Sequence, residues 1–213
     1  MTTILLVRHG ESQANKLQIF CGQSDYDLTE AGVLQAQGTA VHIAKAYAVD
    51  HVYASTLSRA YRTGEAIAAR TGAPFTPDER LREIHCGEWE EAAFGEMLTR
   101  WPDSYPLWLH DIGNCHCPGG ESMTDVVARV LPALTEYVKR HAGKTVVAAT
   151  HGGVIRAMVC VLSGRPLSEM KNIPWAHNAS VTECIYENGV WRLGCVDDDR
   201  HLGALSTSLP DTV

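Results

Sequence analysis

No stretch of this 213-residue chain approaches the ~18 consecutive apolar residues that a membrane-crossing helix needs. The opening MTTILLVRHG holds a brief apolar run that ends at an Arg. It is too short for a secretory leader or a membrane span, so neither is expected. Positive charge is also scarce. Lys and Arg number 18 against 25 Asp and Glu, a formal net charge of −7. That balance removes the broad basic surface that nucleic acid or an anionic membrane selects, so neither is expected as a partner. The 7 cysteines are odd in number and follow no regular spacing, which argues against a disulfide framework and for a cytoplasmic setting. Internal repeats, low-complexity tracts and linkers are missing too. The length supports one sizeable core, so residues 1–213 are expected to form a single domain. Oligomeric state is not readable from these features, and a homodimer stays open.

What the chain does have is an alternation of short apolar runs and helical patterns. Residues 4–7 (ILLV) read as a strand buried on both faces, as in parallel sheets. Thr29 suits the N-cap of a helix reaching to about Ala48. His51–Ala54 reads as a second strand, followed by a helix from Ser55–Ser58 to a stop at Gly72. Ser122 is placed to cap an amphipathic helix with Val126, Val130, Leu134 and Val138 on one face, bent at Pro132. Residues 145–149 (TVVAA) form a third buried run, and a helix follows to about Leu162. Val181–Tyr186 and Val190–Val196 flank Glu187-Asn188-Gly189, a hairpin signal. The expectation is an α/β three-layer sandwich with a mostly parallel sheet, antiparallel at an edge. Residues 84–121, with three Trp and three Pro, read as a small cap insertion with one short helix near 92–100.

Three of these strands lead into phosphate-compatible residues: Arg8-His9-Gly10, then Ser55 to Arg59, then His151-Gly152. In open α/β sheets, ligands bind beyond the carboxyl ends of the strands. A lone His after a strand is usually a hydrogen-bonded structural residue, and a lone Arg on a helix is usually a solvated charge. Two His and two Arg at equivalent strand ends instead form a positive pocket inside an acidic protein. A Gly after each His lets the backbone approach an anion, and a helix N-terminus nearby supplies N–H donors.

Leu6-Val7-Arg8-His9-Gly10-Glu11-Ser12 with Asn15 resembles the signature of the histidine phosphatase superfamily, which includes cofactor-dependent phosphoglycerate mutases. Leu28–Gly32, Ser55–Ala60, Leu81–Ile84, Pro118–Ser122 and Thr150–Gly153 resemble its further motifs, in the family's order. The resemblance implies a phosphomonoesterase acting on a small phosphorylated metabolite, such as a sugar phosphate or ribazole phosphate. It implies that His9 attacks phosphorus and forms a phosphohistidine. Its second ring nitrogen is expected to donate to a nearby backbone carbonyl. Arg8, Arg59 and His151 would surround the phosphoryl oxygens, and Glu83 would serve as acid and then base. Asn15, Gln23 and Gly152 would bind the substrate, with no metal and no cofactor. Two departures lie near the pocket mouth: Glu91 stands where the family often has Gly after Trp-Glu, and Asp25-Tyr26-Asp27 replaces a segment that often carries Pro.

Other chemistries fit less well. The cysteine-phosphatase loop needs an Arg six positions after its Cys, and Ala92 stands there relative to Cys86. Gly143-Lys144-Thr145 ends like a P-loop, but Val138 occupies the position of its first Gly. His110, Cys115, His116 and Cys117 offer zinc-type donors at a spacing that matches no common zinc module. Asp197-Asp198-Asp199 reads as a solvated turn. A non-catalytic phosphate binder would be expected to lose the nucleophile or the acid, and this chain keeps both. A mutase would be expected to carry a basic cap, whereas Arg100 is the only Arg or Lys between Ile84 and Glu121.

Overall fold

The computed structural model describes residues 1–208. Six strands form one sheet in the order β3-β2-β4-β1-β5-β6. They are β1 (Thr2–Arg8), β2 (Val49–Ala54), β3 (Phe75–Pro77), β4 (Thr145–Thr150), β5 (Val181–Glu187) and β6 (Val190–Leu193). The first four run parallel, β5 pairs antiparallel with β1, and β6 closes the edge antiparallel to β5.

Alternation along β1 divides the interior in two. Beyond the short α1 (Gln13–Leu17), Leu5 and Val7 face helices α2 (Glu30–Ala46) and α3 (Ser58–Thr71), joining Ala40, Ile43 and Ile67. Ile4 and Leu6 face α6 (Met123–Arg140) and α7 (Gly152–Leu162), joining Val130, Leu134 and Met158. This is the expected three-layer α/β sandwich, with both sheet faces covered.

Local chemistry sets the element ends. The Thr29 hydroxyl accepts from Gly32 N at the start of α2, and α3 stops at Gly72 with φ +71°. Ser122 and Asp125 form a capping box on α6, which continues through Pro132. Asn188 and Gly189 take φ +52° and +83°, as a tight hairpin requires.

Several expectations are corrected. The insertion holds two α-helices, α4 (Met97–Arg100) and α5 (Tyr105–Asp111), besides short 3₁₀ turns. β6 ends at Leu193, where Gly194 N donates to Glu183 O and Glu183 N to Cys195 O, a bulge that sets two residues opposite one and interrupts the ladder. The acidic run is not a solvated turn. Asp197 accepts from His177 N and Nδ1, both at 2.7 Å, and Asp198 bridges to Val181. Among the described residues no helix is long and apolar enough to cross a membrane.

Candidate active site

Strand register brings the distant motifs to one level. Arg8 pairs with Thr150 across β1 and β4, and Ala54 with Ala149 across β2 and β4. His9, Ser55 and His151 therefore leave three adjacent strands side by side. His9 N donates to Thr150 O and Ser55 N to Ala149 O, which carries the ladder into the loops. The two imidazoles meet edge-on with centroids 5.2 Å apart.

His9 Nδ1 lies 2.6 Å from Gly10 O. A carbonyl only accepts, so Nδ1 carries the proton and Nε2 keeps its lone pair. Burial, reinforced by the Arg59 and Arg8 guanidiniums, pushes the His9 pKa well below its ordinary value. The ring is therefore neutral and nucleophilic near pH 7. Burial and Arg59 act in the same direction on His151, whose Nε2 lies 2.8 Å from Ser55 Oγ.

The positive charge is tightly held. Arg8 donates Nη1 to Ala176 O, and burial lowers its pKa to about 10 against the opposing pull of Glu83 and Asp197. Arg59 donates to the carbonyls of Ser24, Cys21 and Gly22 at 2.9, 3.2 and 2.7 Å. Arg8 Nε and His151 Nδ1 are buried without a hydrogen-bond partner in the protein. Buried polar atoms are ordinarily paired, so two unpaired ones in a cationic pocket fit an anionic ligand.

Glu83 enters from the loop before the cap. Its carboxylate accepts from Ile84 N at 3.0 Å and Gly153 N at 2.9 Å. A Cβ on Gly153 would stand 2.7 Å from Glu83 Oε1, so a larger residue there would displace this acid. A Cβ on Gly10 would collide with the Gly32 carbonyl in α2, so Gly10 lets these two backbones pack closely.

The pocket has a cavity volume of about 70 Å³. On a scale where a water needs roughly 10–15 Å³, this is room for a phosphoryl group. Arg8, His9, Asn15, Arg59, Glu83 and Gly152 line it. His151 stands behind them. Gln23 does not line the cavity; its amide donates to Glu83 O at 3.1 Å. The cap encloses one side. Trp89 is fully buried in an edge-to-face cluster with Phe20, Tyr105 and Trp108, and Trp108 also reaches the pocket wall.

Four residues that sequence reasoning missed hold this geometry. Glu90 accepts from the N–H groups of Gly22, Gln23, Ser24 and Cys86 and from Ser24 Oγ, fixing the loop whose carbonyls hold Arg59. Arg129 donates to the carbonyls of Arg80, Arg82 and Glu83 and pairs with Glu121, which supports the acid-bearing segment. Asn178 donates to His9 O and Asn15 Oδ1. Trp175 stacks on Trp108 at 6.0 Å and completes the wall. The departure at position 91 also has a physical setting. Glu91 has φ +64°, a left-handed conformation in which glycine is unstrained.

Sheet order, the paired imidazoles and the buried guanidiniums define a phosphoryl-transfer fold, and the chain belongs to the histidine phosphatase superfamily (branch 1), whose model matches residues 4–199. It is similar to phosphoserine phosphatase 1 of Hydrogenobacter thermophilus, at 34% identity over 169 residues, 79% of this chain and 80% of that one. It is also similar to a 2,3-bisphosphoglycerate-dependent phosphoglycerate mutase of a Methylobacterium species, at 37% identity over 168 residues, 76% and 80% of the two chains. Among solved structures, a mycobacterial glucosyl-3-phosphoglycerate phosphatase in complex with VO3 superposes with a TM-score of 0.84. It is 32% identical and covers 92% of this chain and 98% of its own.

Proposed function

We propose that the protein hydrolyses small phosphate monoesters through a phosphohistidine on His9. The observation that carries this reading is a buried imidazole whose Nδ1 is held by Gly10 O, leaving Nε2 free, set between two guanidiniums and the Glu83 carboxyl group. In the first step His9 Nε2 bonds to phosphorus as the ester oxygen departs, taking a proton from Glu83. In the second, Glu83 takes a proton from water, whose oxygen bonds to phosphorus and releases phosphate and His9. Arg8, Arg59 and His151 meet the charge spread over the phosphoryl oxygens, so the reading assigns no metal or organic cofactor. Asn15 is placed to hydrogen-bond the phosphate or its ester.

A mutase reading draws support from the Methylobacterium relative. A mutase must also bind a sugar-acid carboxylate, however, and the pocket lining holds no Arg or Lys beyond Arg8 and Arg59. The phosphatase reading is therefore preferred. Seven free thiols support a cytoplasmic setting, and the acidic net charge supports a small ester, rather than nucleic acid or membrane, as the partner.

The test is phosphate release from a panel of monoesters after exhaustive chelation, with trapping of the labelled enzyme. Turnover in chelator and a base-stable, acid-labile protein phosphate are expected. Loss of turnover restored by a divalent ion would overturn the metal-free mechanism.

A further inference from the structure

On the reading that this pocket is a phosphomonoesterase site, we infer that its preferred leaving group is an uncharged alcohol with a flat apolar face. Beyond the phosphate-binding residues and Ser12, the wall is mostly apolar, with Ile19, Phe20, Phe94, Trp108 and Trp175 and the thiols of Cys21 and Cys86. None of these offers a charge. Trp108 from the cap and Trp175 from the loop after α7 stack with ring planes 29° apart, while Phe94 meets Phe20 edge-on at 5.3 Å. The result is a semi-rigid aromatic slot above the phosphoryl position, the surface on which a ring or short hydrocarbon is best desolvated.

Charged leaving groups lack a counterpart. The cap, residues 84–121, carries seven carboxylates and one Arg. That Arg100 is exposed and lies over Trp101 at 4.3 Å. The nearby cations stand outside the lining: Arg82 Nε donates to Thr56 Oγ1, Arg129 is tied to Glu121, and Arg156 donates to Ile173 O while lying over Trp175. A carboxylate on the substrate would enter an apolar slot under an acidic cap. An ammonium finds no carboxylate lining the slot other than Glu83, which must carry a proton to act as the general acid. Charge burial without a partner is disfavoured, so the slot selects against amino-acid and sugar-acid phosphates.

The experiment compares kcat/KM for benzyl phosphate, O-phosphoserine, 3-phosphoglycerate and ribose 5-phosphate. All four leave as alkyl alkoxides, so demand on the general acid is similar. Benzyl phosphate is expected to exceed phosphoserine and 3-phosphoglycerate by roughly tenfold or more, the scale of burying one ring face. Phe94→Ser should reduce that ratio mainly through the KM of the benzyl ester. Benzylphosphonate should inhibit competitively at lower concentration than 2-amino-3-phosphonopropanoate, a binding readout that does not depend on chemistry. Equal or greater kcat/KM on either acid, or an unchanged ratio in Phe94→Ser, overturns the inference while leaving the phosphatase reading intact. Failure to turn over any ester overturns both.

Discussion

Glu90→Gln tests whether one carboxylate outside the reacting atoms holds the cationic side of the pocket. Its Oε1 accepts from Gln23 N at 2.8 Å and Cys86 N at 3.0 Å. Its Oε2 accepts from Gly22 N and Ser24 N, both at 3.1 Å, and from Ser24 Oγ at 2.8 Å. An amide in either orientation turns an N–H toward at least two donors that previously had an acceptor. At about 1–1.5 kcal/mol per partly buried donor left unpaired, the loss is about 2–3 kcal/mol. For a chain of this size that is a Tm decrease of roughly 4–12 °C. The same loop supplies the carbonyls that hold Arg59, so kcat/KM should fall about 10–100-fold. Burial raises the Glu90 pKa, but the N–H and hydroxyl donors outweigh it and hold the group below its ordinary value. A depressed carboxylate pKa stabilises above the unfolded value near 4.3 and loses that contribution as pH falls through the folded value. The stability gap between wild type and variant should therefore narrow below about pH 4.3. Thermal melts across pH and steady-state kinetics measure both effects. A variant with wild-type Tm and kcat/KM refutes the reasoning; a lowered Tm with intact kcat/KM refutes the link to Arg59.

His9→Ala should lower turnover on the order of 10³-fold or more without unfolding the protein, and should abolish the acid-labile phosphate. Full activity in that variant would remove His9 as nucleophile. Glu83→Gln should cost about 10²–10⁴-fold on an alkyl phosphate and much less on p-nitrophenyl phosphate, whose leaving group departs without a proton. Equal losses on both substrates would make Glu83 a positioning residue. His9 and His151 should stay neutral in the ligand-free fold well below pH 6.5, as read by histidine NMR. Their folded pKa values lie below the unfolded one, so their contribution to stability is full above about 6.5 and declines as pH falls. A His9 midpoint near 6.5 would contradict its burial between guanidiniums.

Much of this was readable from local pattern. Continuous apolar runs marked β1 and β4, Thr29 and Ser122 marked helix starts, and Asn188-Gly189 marked the hairpin because each rests on short-range sterics or capping. β3 escaped because its three residues, Phe75–Pro77, are too few to show a period. The second cap helix escaped because Pro106 reads as a breaker yet lies in the first turn of α5, where a missing N–H costs nothing. Arg8, His9, Arg59, Glu83 and His151 were legible as types of chemistry at strand and loop ends. Glu90, Arg129 and Asn178 were not, since each acts on backbone groups of a segment far along the chain. Gln23 shows the converse: its side chain is near the acid but directed to a carbonyl.

The central pairing of β1 with β4 also bears on how the protein acquires activity during folding. The partners Arg8 and Thr150 are joined across the middle of the sheet, with α2, α3, the cap and α6 lying between them in sequence. Such a contact closes a very long loop, and pairings of that kind form slowly. A nascent chain that has not yet released residue 150 from its place of synthesis therefore has a nucleophile but no pocket. During refolding, recovered turnover will follow completion of the central strands, while helical signal returns earlier. Catalysis here serves as a clock for a long-range step of assembly.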